Sequence, residues 1–375
     1  MLKIADRDHQ FPTLRTRFYL NTAAEGIPPL AAREALATYH AHKSMGMAGR
    51  DLLFAEADDC RNRVADLLAL SPGEISFCSS ASEAYNLLAS AIAFQAGDEV
   101  VITDLDFPAG ATPWLQLPVR PAVHLWRNRE GVLDPADLSN LLSNKTRLVQ
   151  VSLVSFLTGH RIAWGPVRDA VRRHAPQAIL AVDVTQAAGR IVLDCLDADC
   201  LIASCYKWLL GSHGGCVVAV PDASSHRVTA RAGGWYHLEN AFDDDRFERA
   251  APHPGARSFA VGMPPFPAIY ALRAGIDALL DESIPSIAKH ADKLVNKLHD
   301  GLAGLGIRTM SPKQPDSPSG IVAFQTENDE ALHAHLLGRN IHVMHQAGRI
   351  RLSIHGYNRM DEVREVLRAI EEFPG

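Results

Sequence analysis

The stretch Ser204–Gly211 reads Ser-Cys-Tyr-Lys-Trp-Leu-Leu-Gly, and it continues an apolar run, Cys200–Ser204, that is typical of a buried strand. Its lysine, Lys207, lies 24 positions after Asp183, which ends a second apolar run. Side chains at the carboxyl ends of parallel strands point into the ligand crevice of an open α/β sheet. The spacing therefore predicts a buried lysine and a buried carboxylate at one edge of one sheet.

The combination of Lys207 and Asp183 indicates a site for pyridoxal phosphate. Burial lowers the pKa of a lysine and leaves a nucleophilic amine that can form an imine with an aldehyde cofactor. A carboxylate can hold the pyridine nitrogen protonated, so that the ring accepts electrons from a substrate carbanion. A lone lysine is usually a solvated surface charge, and only the pairing with Asp183 favours a cofactor site.

Short apolar runs alternate with amphipathic helical patterns along the first two thirds of the chain, which predicts an α/β fold with a mostly parallel sheet wrapped by helices. After Pro264 a helical region, Pro267–Leu305, is followed by short strands and helices in an α+β pattern, which predicts a second, smaller domain. The polar, turn-rich stretch Glu239–Pro254 is predicted to be a long surface or active-site loop. The candidate strands are Ile75–Cys78, Glu99–Thr103, Leu148–Val154, Ile179–Asp183, Cys200–Ser204, Gly215–Val220, Ile321–Phe324, Ile341–Met344 and Ile350–Ser353. The candidate helices are Glu83–Phe94, Gly165–His174, Asn328–Arg339 and Met360–Phe373.

The composition is that of an ordinary soluble enzyme. The 375 residues are 47% hydrophobic and 21% charged, and the formal charge of −6 lacks the basic excess of a nucleic-acid binder. No apolar run reaches the length that spans a bilayer, and charges near the N-terminus argue against a signal peptide, so the cytoplasm is the expected location. The six cysteines form no C-x-x-C pair; they are expected to be reduced core thiols, and no metal site is expected.

A phosphate site is predicted where Ser79–Glu83 follows the candidate strand Ile75–Cys78 and begins a helix. Backbone amides at a helix N-terminus bind phosphate. An ordinary serine-rich helix cap is the alternative for this stretch taken by itself.

The chain resembles the class V aminotransferase family of fold type I pyridoxal-phosphate enzymes. This family includes cysteine desulfurases, kynureninases and isopenicillin-N-epimerase-like proteins. The resemblance implies a large domain with a mostly parallel seven-stranded sheet and a smaller α+β C-terminal domain. It covers nearly the whole chain, with an N-terminal segment at 1–20, the large domain at 21–264 and the small domain at 265–375. The motifs that carry it are 18–24 (Phe-Tyr-Leu-Asn-Thr-Ala-Ala), 82–86 (Ser-Glu-Ala-Tyr-Asn), 182–187 (Val-Asp-Val-Thr-Gln-Ala), 204–207 (Ser-Cys-Tyr-Lys), 262–264 (Gly-Met-Pro) and 351–358 (Arg-Leu-Ser-Ile-His-Gly-Tyr-Asn).

The family pattern implies a role for each matched position. Lys207 looks like the Schiff-base lysine, Asp183 like the partner of the pyridine nitrogen, and Gln186 like a contact of the ring hydroxyl oxygen. Arg351 matches the arginine that grips the substrate carboxylate, a task that suits its bidentate fork. The residues implied to surround the phosphate are Ser80, Ala81, Ser82, Ser204 and Tyr206. The residues implied on the substrate side are Asn21, Ala24, Trp235, Tyr236 and His345.

The departures from the family pattern concern the cofactor faces and the sulfur chemistry. Phe107 stands where the family often stacks a histidine, and because a phenyl ring cannot exchange protons, Lys207 must carry the proton transfer. Phe156 replaces an asparagine near the cofactor, and Met263 replaces a threonine that reaches the phosphate across a dimer interface. The stretch 342–350 lacks the nucleophilic cysteine of the desulfurases, so the sequence predicts that the protein is not a cysteine-persulfide desulfurase.

The sequence therefore predicts an aminotransferase-like enzyme that acts at Cα of an amino acid or amine, as a homodimer with the active site at the interface. A lyase (C–S or β-elimination) or an epimerase of the same family is the alternative, with Tyr236, His345 and His355 as candidates for a second acid or base. A catalytically idle cofactor-fold protein is a further alternative, against which Lys207, Asp183 and Arg351 together argue. A dinucleotide-binding dehydrogenase is disfavoured, because no G-x-G-x-x-G follows the early strands.

Overall fold

The computed structural model describes residues 4–314, 316 and 318–374. The strands, numbered along the chain, are β1 (Phe18–Tyr19), β2 (Ile75–Cys78), β3 (Glu99–Thr103), β4 (Ala122–Trp126), β5 (Thr146–Ser152), β6 (Ile179–Asp183), β7 (Cys200–Ser204), β8 (Cys216–Ala219), β9 (Ile321–Gln325), β10 (Ile341–His342), β11 (Met344–Gln346) and β12 (Arg349–Ser353). The helices are α1 (Ile4–Gln10), α2 (Leu30–Ser44), α3 (Arg50–Leu68), α4 (Ala81–Ala91), α5 (Pro108–Gln116), α6 (Pro135–Ser139), α7 (Trp164–His174), α8 (Phe266–Glu282), α9 (Ile284–Gly304), α10 (Asp329–Gly338) and α11 (Met360–Glu371).

A seven-stranded sheet in the order β2-β8-β7-β6-β5-β3-β4 organises the first part of the chain. Only β8 runs antiparallel to its neighbours within this sheet, and the other pairs are parallel. Its central strands β6 and β7 are mostly apolar and are buried up to their last residues, because apolar clusters cover both faces; Asp183 at the end of β6 is half-buried. The predicted α/β fold with a mostly parallel seven-stranded sheet is confirmed.

The strand β4 was not predicted from the sequence. It pairs with β3 at the edge of the sheet, and only its last residue, Trp126, is buried. An edge strand with polar and half-exposed positions, such as His124, gives a weak apolar signal.

The predicted helical region after Pro264 consists of two helices. The break is at Ser283, which has a φ of 62° and whose hydroxyl accepts a hydrogen bond from the amide of Ser286. Pro285 in the first turn of α9 suits this new helix start. The helix α8 packs on α2 and α3, whereas α9 packs on α11 and β9.

An antiparallel sheet in the order β11-β12-β9 lies in the C-terminal part of the chain. Ile350 and Leu352 of β12 belong to the apolar core beneath the helices α9, α10 and α11, so Arg349, Arg351 and Ser353 occupy the other face of the strand. This arrangement confirms the predicted smaller α+β unit.

The N-terminal segment contacts this C-terminal part. The strand β1 pairs with β10, and the guanidinium of buried Arg7 forms an ion pair with Glu362 and donates to the carbonyl oxygen of Tyr357. Residues 1–3 of the predicted segment 1–20 lie outside the described residues, and the boundaries 21–264 and 265–375 stay a prediction.

The stretch Glu239–Pro254 contains turns and an isolated bridge between Leu238 and Pro252. Phe242 and Phe247 within it are exposed. Among the described residues, none of the helices combines the length and the apolar character that crossing a bilayer requires.

Candidate active site

A cavity of about 180 Å³ opens where the carboxyl ends of β2, β3, β5, β6 and β7 meet the start of β8. This convergence follows from the topology, because parallel strands end at one edge of the sheet and the antiparallel β8 begins there. All the residues predicted to hold the cofactor line this cavity, with the exception of Met263. The lining residues are Ser79, Ser80, Ala81, Ser82, Phe107, Ala109, Ser152, Val154, Phe156, Asp183, Thr185, Gln186, Ser204, Tyr206, Lys207, His213, Gly214 and Gly215.

Lys207 follows β7 and is 9% exposed. Its Nζ lies 5.5 Å from the ring centroids of both Phe107 and Tyr206. Burial lowers the pKa of Lys207 to about 8, although the charge of Asp183 opposes this shift. The backbone of Gly26 approaches so closely that a Cβ there would lie 1.9 Å from the carbonyl oxygen of Lys207. The lysine is therefore held on a tightly packed turn and titrates near neutral pH.

The carboxylate of Asp183, at the end of β6, accepts two hydrogen bonds. The hydroxyl of Tyr85 donates to Oδ2 at 2.7 Å, and the amide of Thr185 donates to Oδ1 at 2.7 Å. These two hydrogen bonds fix the orientation of the carboxylate at the end of β6. Burial raises the pKa of Tyr85 well above its usual value, so that this hydroxyl stays protonated as the donor.

The aromatic wall of the cavity consists of Phe107 and Phe156, whose rings meet edge to face at 5.1 Å between centroids. The carboxylate of Asp106 accepts hydrogen bonds from the amides of Ser152 (2.7 Å) and Thr103 (3.2 Å), which ties the loop of Phe107 to the ends of β3 and β5. Burial raises the pKa of Asp106 to about 7. Phe107 is thus positioned by its neighbours although its own ring is 48% exposed.

The N-terminus of α4 offers free amides to the cavity. The side chain of Ser80 accepts a hydrogen bond from the amide of Glu83, and the carbonyl oxygen of Ser80 accepts one from Ala84. The amides of Ala81 and Ser82, in the first turn, have no carbonyl partner within the helix. Two donors at the positive end of the helix therefore remain for an anion.

The turn after β7 also lines the cavity. The amide of Ser204 donates to the hydroxyl oxygen of Thr185 at 3.0 Å. Tyr206 stacks on His213 at 4.2 Å between ring centroids, and the His213 ring contacts the Glu25 carboxylate at 3.0 Å. These contacts fix the orientation of the Tyr206 ring beside Lys207.

Gln186 is buried and has a fixed amide orientation. Its Oε1 accepts a hydrogen bond from the indole of Trp208 at 2.6 Å, and its Nε2 donates to the carbonyl oxygen of Ala23 at 3.0 Å. One hydrogen of Nε2 remains for another acceptor in the cavity.

Arg351 reaches toward the cavity from β12. It is 2% exposed, and its Nη1 donates to the carbonyl oxygen of Phe156 at 2.8 Å. Burial lowers the pKa of Arg351 to about 10, and the nearby charge of Arg349 adds to this effect. The guanidinium carbon of Arg349 lies 5.8 Å from the centroid of the Phe156 ring.

Three residues predicted on the substrate side have partners elsewhere. Trp235 is 44% exposed, and Tyr236 stacks against Phe54 and lines a different cavity. His345 contacts the carboxylate of Asp329 at 2.7 Å and lies beside His333 of α10.

The remaining predicted residues lie around the cavity without lining it. Asn21 bridges to Ser353, and its buried Oδ1 has no hydrogen-bond partner among the described residues. The amide of Ala24 donates to the carbonyl oxygen of Asn21, and Met263 is 45% exposed before α8. Buried His355 contacts the carbonyl oxygen of Trp208 at 3.0 Å, and burial lowers its pKa to about 4.

All six cysteines are free and buried, as predicted. They are Cys60, Cys78, Cys195, Cys200, Cys205 and Cys216. Burial is the main cause that raises the pKa of each thiol.

Sequence reasoning missed three residues around the site, namely Tyr85, His213 and Arg349. Tyr85 lies five positions after Ser80, on the buried face of α4. Nothing in the sequence indicates that its hydroxyl pairs with Asp183 at the end of β6. Arg349 could have been predicted at the site, because alternate residues of a strand share a face and Arg351 lies two positions later.

These residues fit pyridoxal phosphate. The free amides of Ala81 and Ser82 suit a phosphate, the aromatic wall suits a planar ring, and Asp183 suits a protonated ring nitrogen. The amine of Lys207, with its lowered pKa, suits an aldehyde.

Comparisons with known proteins agree with this geometry. A family model described as "Aminotransferase class-V" matches residues 19–369. A protein of Methanothermobacter thermautotrophicus named "Probable cysteine desulfurase" is 26% identical, with coverage of 100% of this chain and 99% of the relative. "Uncharacterized aminotransferase YcbU" of Bacillus subtilis is 25% identical, with coverage of 96% and 95%. The solved apo structure of a cysteine desulfurase from Thermococcus onnurineus has a TM-score of 0.88 at 23% identity, and the match covers 98% of this chain and 97% of that one.

The prediction that the protein is not a cysteine-persulfide desulfurase is contradicted by these matches. A relative that matches over its full length is named a probable cysteine desulfurase, although residues 342–350 of this chain contain no cysteine.

Proposed function

The chain belongs to the class V aminotransferase family of pyridoxal-phosphate enzymes, and we propose that it cleaves the C–S bond of cysteine or of a cysteine-derived amino acid. The observation that carries the proposal is one cavity that brings together Lys207, Asp183 and the free amides of α4, with Arg351 beside Phe156. The choice of reaction rests on the name of the relative that matches the chain over its full length.

The cofactor, when bound, supplies an electron sink for the negative charge that develops at Cα. In the proposed reaction Asp183 holds the ring nitrogen, Ala81 and Ser82 bind the phosphate through their amides, and Phe107 covers one face of the ring. Gln186 donates to the ring hydroxyl oxygen from its remaining Nε2 hydrogen, and Ser80, Ser204 and Tyr206 complete the phosphate end.

Lys207 performs the proton transfer in this proposal. Its pKa of about 8 makes the amine a competent base near neutral pH, so it can remove the Cα proton. Phe107 and Phe156, which face it, carry no exchangeable protons. Arg351 binds the substrate carboxylate with the part of its guanidinium that does not contact Phe156, which orients the Cα–H bond toward Lys207.

Product analysis of the cofactor-loaded enzyme tests the reaction type. Incubation with L-cysteine or an S-substituted cysteine is expected to yield pyruvate and ammonia together with hydrogen sulfide or the corresponding thiol, because removal of the Cα proton with loss of the sulfur group consumes one water and needs no oxidant or reductant. These products require cleavage of the C–S bond. Conversion of the cofactor to its amine form with release of a keto acid would contradict the proposal and favour transamination. Transamination is the alternative because one relative is named an aminotransferase.

The homodimer with its active site at the interface and the cytoplasmic location stay predictions. An amino-acid substrate follows from the proposed reaction, and the roles predicted for Asn21, Ala24, Met263, Trp235, Tyr236 and His345 form no part of it.

A further inference from the structure

Two buried arginines share one face of β12. Arg349 is 3% exposed and Arg351 is 2% exposed, and Ile350 between them packs into the apolar core on the other face of the strand. Both guanidinium groups contact the same residue: Arg351 donates to the backbone of Phe156, and Arg349 lies over its ring at 5.8 Å. Phe156 lines the Lys207 cavity, so both guanidinium groups contact a residue of the cavity wall.

Each guanidinium keeps buried N–H groups that the described residues do not satisfy. Within the part of the chain that the structure describes, Nε and Nη2 of Arg349 and Nε of Arg351 are buried without a hydrogen-bond partner. Burial lowers the pKa of Arg349, and no described carboxylate opposes this shift. The charge of Arg349 adds to the burial that lowers the pKa of Arg351. Two unpaired buried cations destabilise the protein unless a ligand supplies negative charge.

One arginine is sufficient for the α-carboxylate of an amino acid. A single guanidinium fork binds a carboxylate through two parallel hydrogen bonds. The two guanidinium groups contact different parts of Phe156, the carbonyl oxygen for Arg351 and the ring for Arg349, and each keeps buried N–H groups of its own. Arg349 therefore remains for an anionic group several bonds away from Cα.

We propose that Arg349 binds a second anionic group on the substrate, so that the preferred substrates are cysteine derivatives whose sulfur substituent ends in a carboxylate. The identity of the amino-acid core rests on the proposed function, whereas the preference for a distal negative charge rests on β12 alone.

A matched pair of ligands tests this inference. S-carboxymethyl-L-cysteine carries a distal carboxylate, and S-carbamoylmethyl-L-cysteine carries a neutral amide of nearly the same shape. Titration of the cofactor-loaded enzyme with each ligand, followed by the visible absorbance, gives the two dissociation constants. We expect the carboxylate ligand to bind at least about tenfold more tightly, as a charge-assisted hydrogen bond predicts.

Three variants assign the preference to Arg349. Arg349→Gln is expected to abolish the preference by weakening only the carboxylate ligand, whereas Arg349→Lys, which keeps the charge without the fork, retains part of it. Arg308→Gln is the control, because Arg308 is largely exposed and pairs with Glu130, and it is expected to keep the full preference.

Two results would overturn the inference: equal binding of both ligands by the unmodified enzyme, or an equal loss for both ligands in Arg349→Gln. The second result would mean that Arg349 supports the fold or shares the α-carboxylate. Product analysis of the same samples separates this inference from the proposed function, because a binding preference without C–S cleavage supports the Arg349 site and contradicts only the reaction.

Discussion

At the scale of single residues, the protonation of Lys207 decides when the site can capture its cofactor. The neutral amine is the nucleophile, and a lysine with a pKa of about 8 is roughly one-tenth neutral at pH 7, whereas an ordinary lysine is almost entirely charged. The shift has a structural cause, because the side chain is buried between Phe107 and Tyr206.

We therefore predict that the rate of cofactor capture by the cofactor-free protein rises with pH and levels off above pH 8. The measurement is the growth of visible absorbance after addition of pyridoxal phosphate over a pH series. Arg351→Gln should move the midpoint to higher pH, because the Arg351 charge lowers the pKa of Lys207. A rate that continues to rise up to the pKa of an ordinary lysine would contradict the assignment.

Tyr85 supports Asp183 through a hydrogen bond at 2.7 Å, and its removal should weaken the cofactor site. We predict that Tyr85→Phe raises the dissociation constant for pyridoxal phosphate by about tenfold, the usual worth of a hydrogen bond to a charged group. Equilibrium titration of the cofactor-free protein measures this constant. Tyr39→Phe is the control, since Tyr39 packs on Tyr270 between α2 and α8, and the same loss in both variants would argue against a specific role for Tyr85.

At the level of secondary structure, the strands that end at the site could be predicted from the sequence. The runs before Asp183 and Lys207 are uninterrupted and apolar because β6 and β7 are buried on both faces, so their ends could be read to the residue. The edge strand β4 could not be predicted, because its exposure weakens the apolar pattern. The break at Ser283 could not be predicted either, because a single positive φ leaves little trace in composition.

The side-chain pairings at the site were less predictable than the strands. Tyr85 lies 98 positions before Asp183 in the chain, and Arg349 lies 193 positions after Phe156. Only the packing of α4 and β12 against the sheet brings these pairs together, and no periodicity in the sequence records that packing.

Two serines at the start of α4, Ser80 and Ser82, are expected to contribute differently to helix capping and to phosphate binding. We predict that Ser80→Ala lowers the free energy of unfolding of the cofactor-free protein by about 1 kcal/mol, because the amide of Glu83 loses its cap. Ser82→Ala should change it by less than about 0.5 kcal/mol, yet weaken cofactor binding, because we expect the Ser82 hydroxyl to bind the phosphate beside the backbone amide. Denaturant unfolding and cofactor titration of both variants check this, and a larger loss of stability in Ser82→Ala would contradict the assignment.

At the scale of the whole molecule, buried Arg190 links the sheet edge to the C-terminal part of the chain. Its Nε donates to the carbonyl oxygen of Ile354 at 2.9 Å, and its Nη2 pairs with Asp292 of α9 at 2.9 Å. The same C-terminal part carries Arg349 and Arg351, so this link helps to fix the substrate arginines relative to Lys207.

We predict that Asp292→Ala lowers the free energy of unfolding by about 3 kcal/mol, because it leaves the Arg190 charge buried without its partner. Asp300→Ala is the matched control: its ion pair with Lys313 is exposed on both sides, and its loss should cost less than about 1 kcal/mol. Denaturant unfolding of the two variants measures both values. Equal losses would show that Arg190 does not act as a link between the sheet and the C-terminal part of the chain.

Covalent binding of pyridoxal phosphate by Lys207 is tested by the visible absorbance spectrum of the purified, cofactor-supplemented protein beside that of Lys207→Ala. We expect a yellow absorbance band that persists after dialysis in the unmodified protein and that changes when a substrate amino acid is added. We expect Lys207→Ala to lack this band. A colourless protein that cannot be loaded with the cofactor, or an identical band in Lys207→Ala, would contradict covalent binding by Lys207.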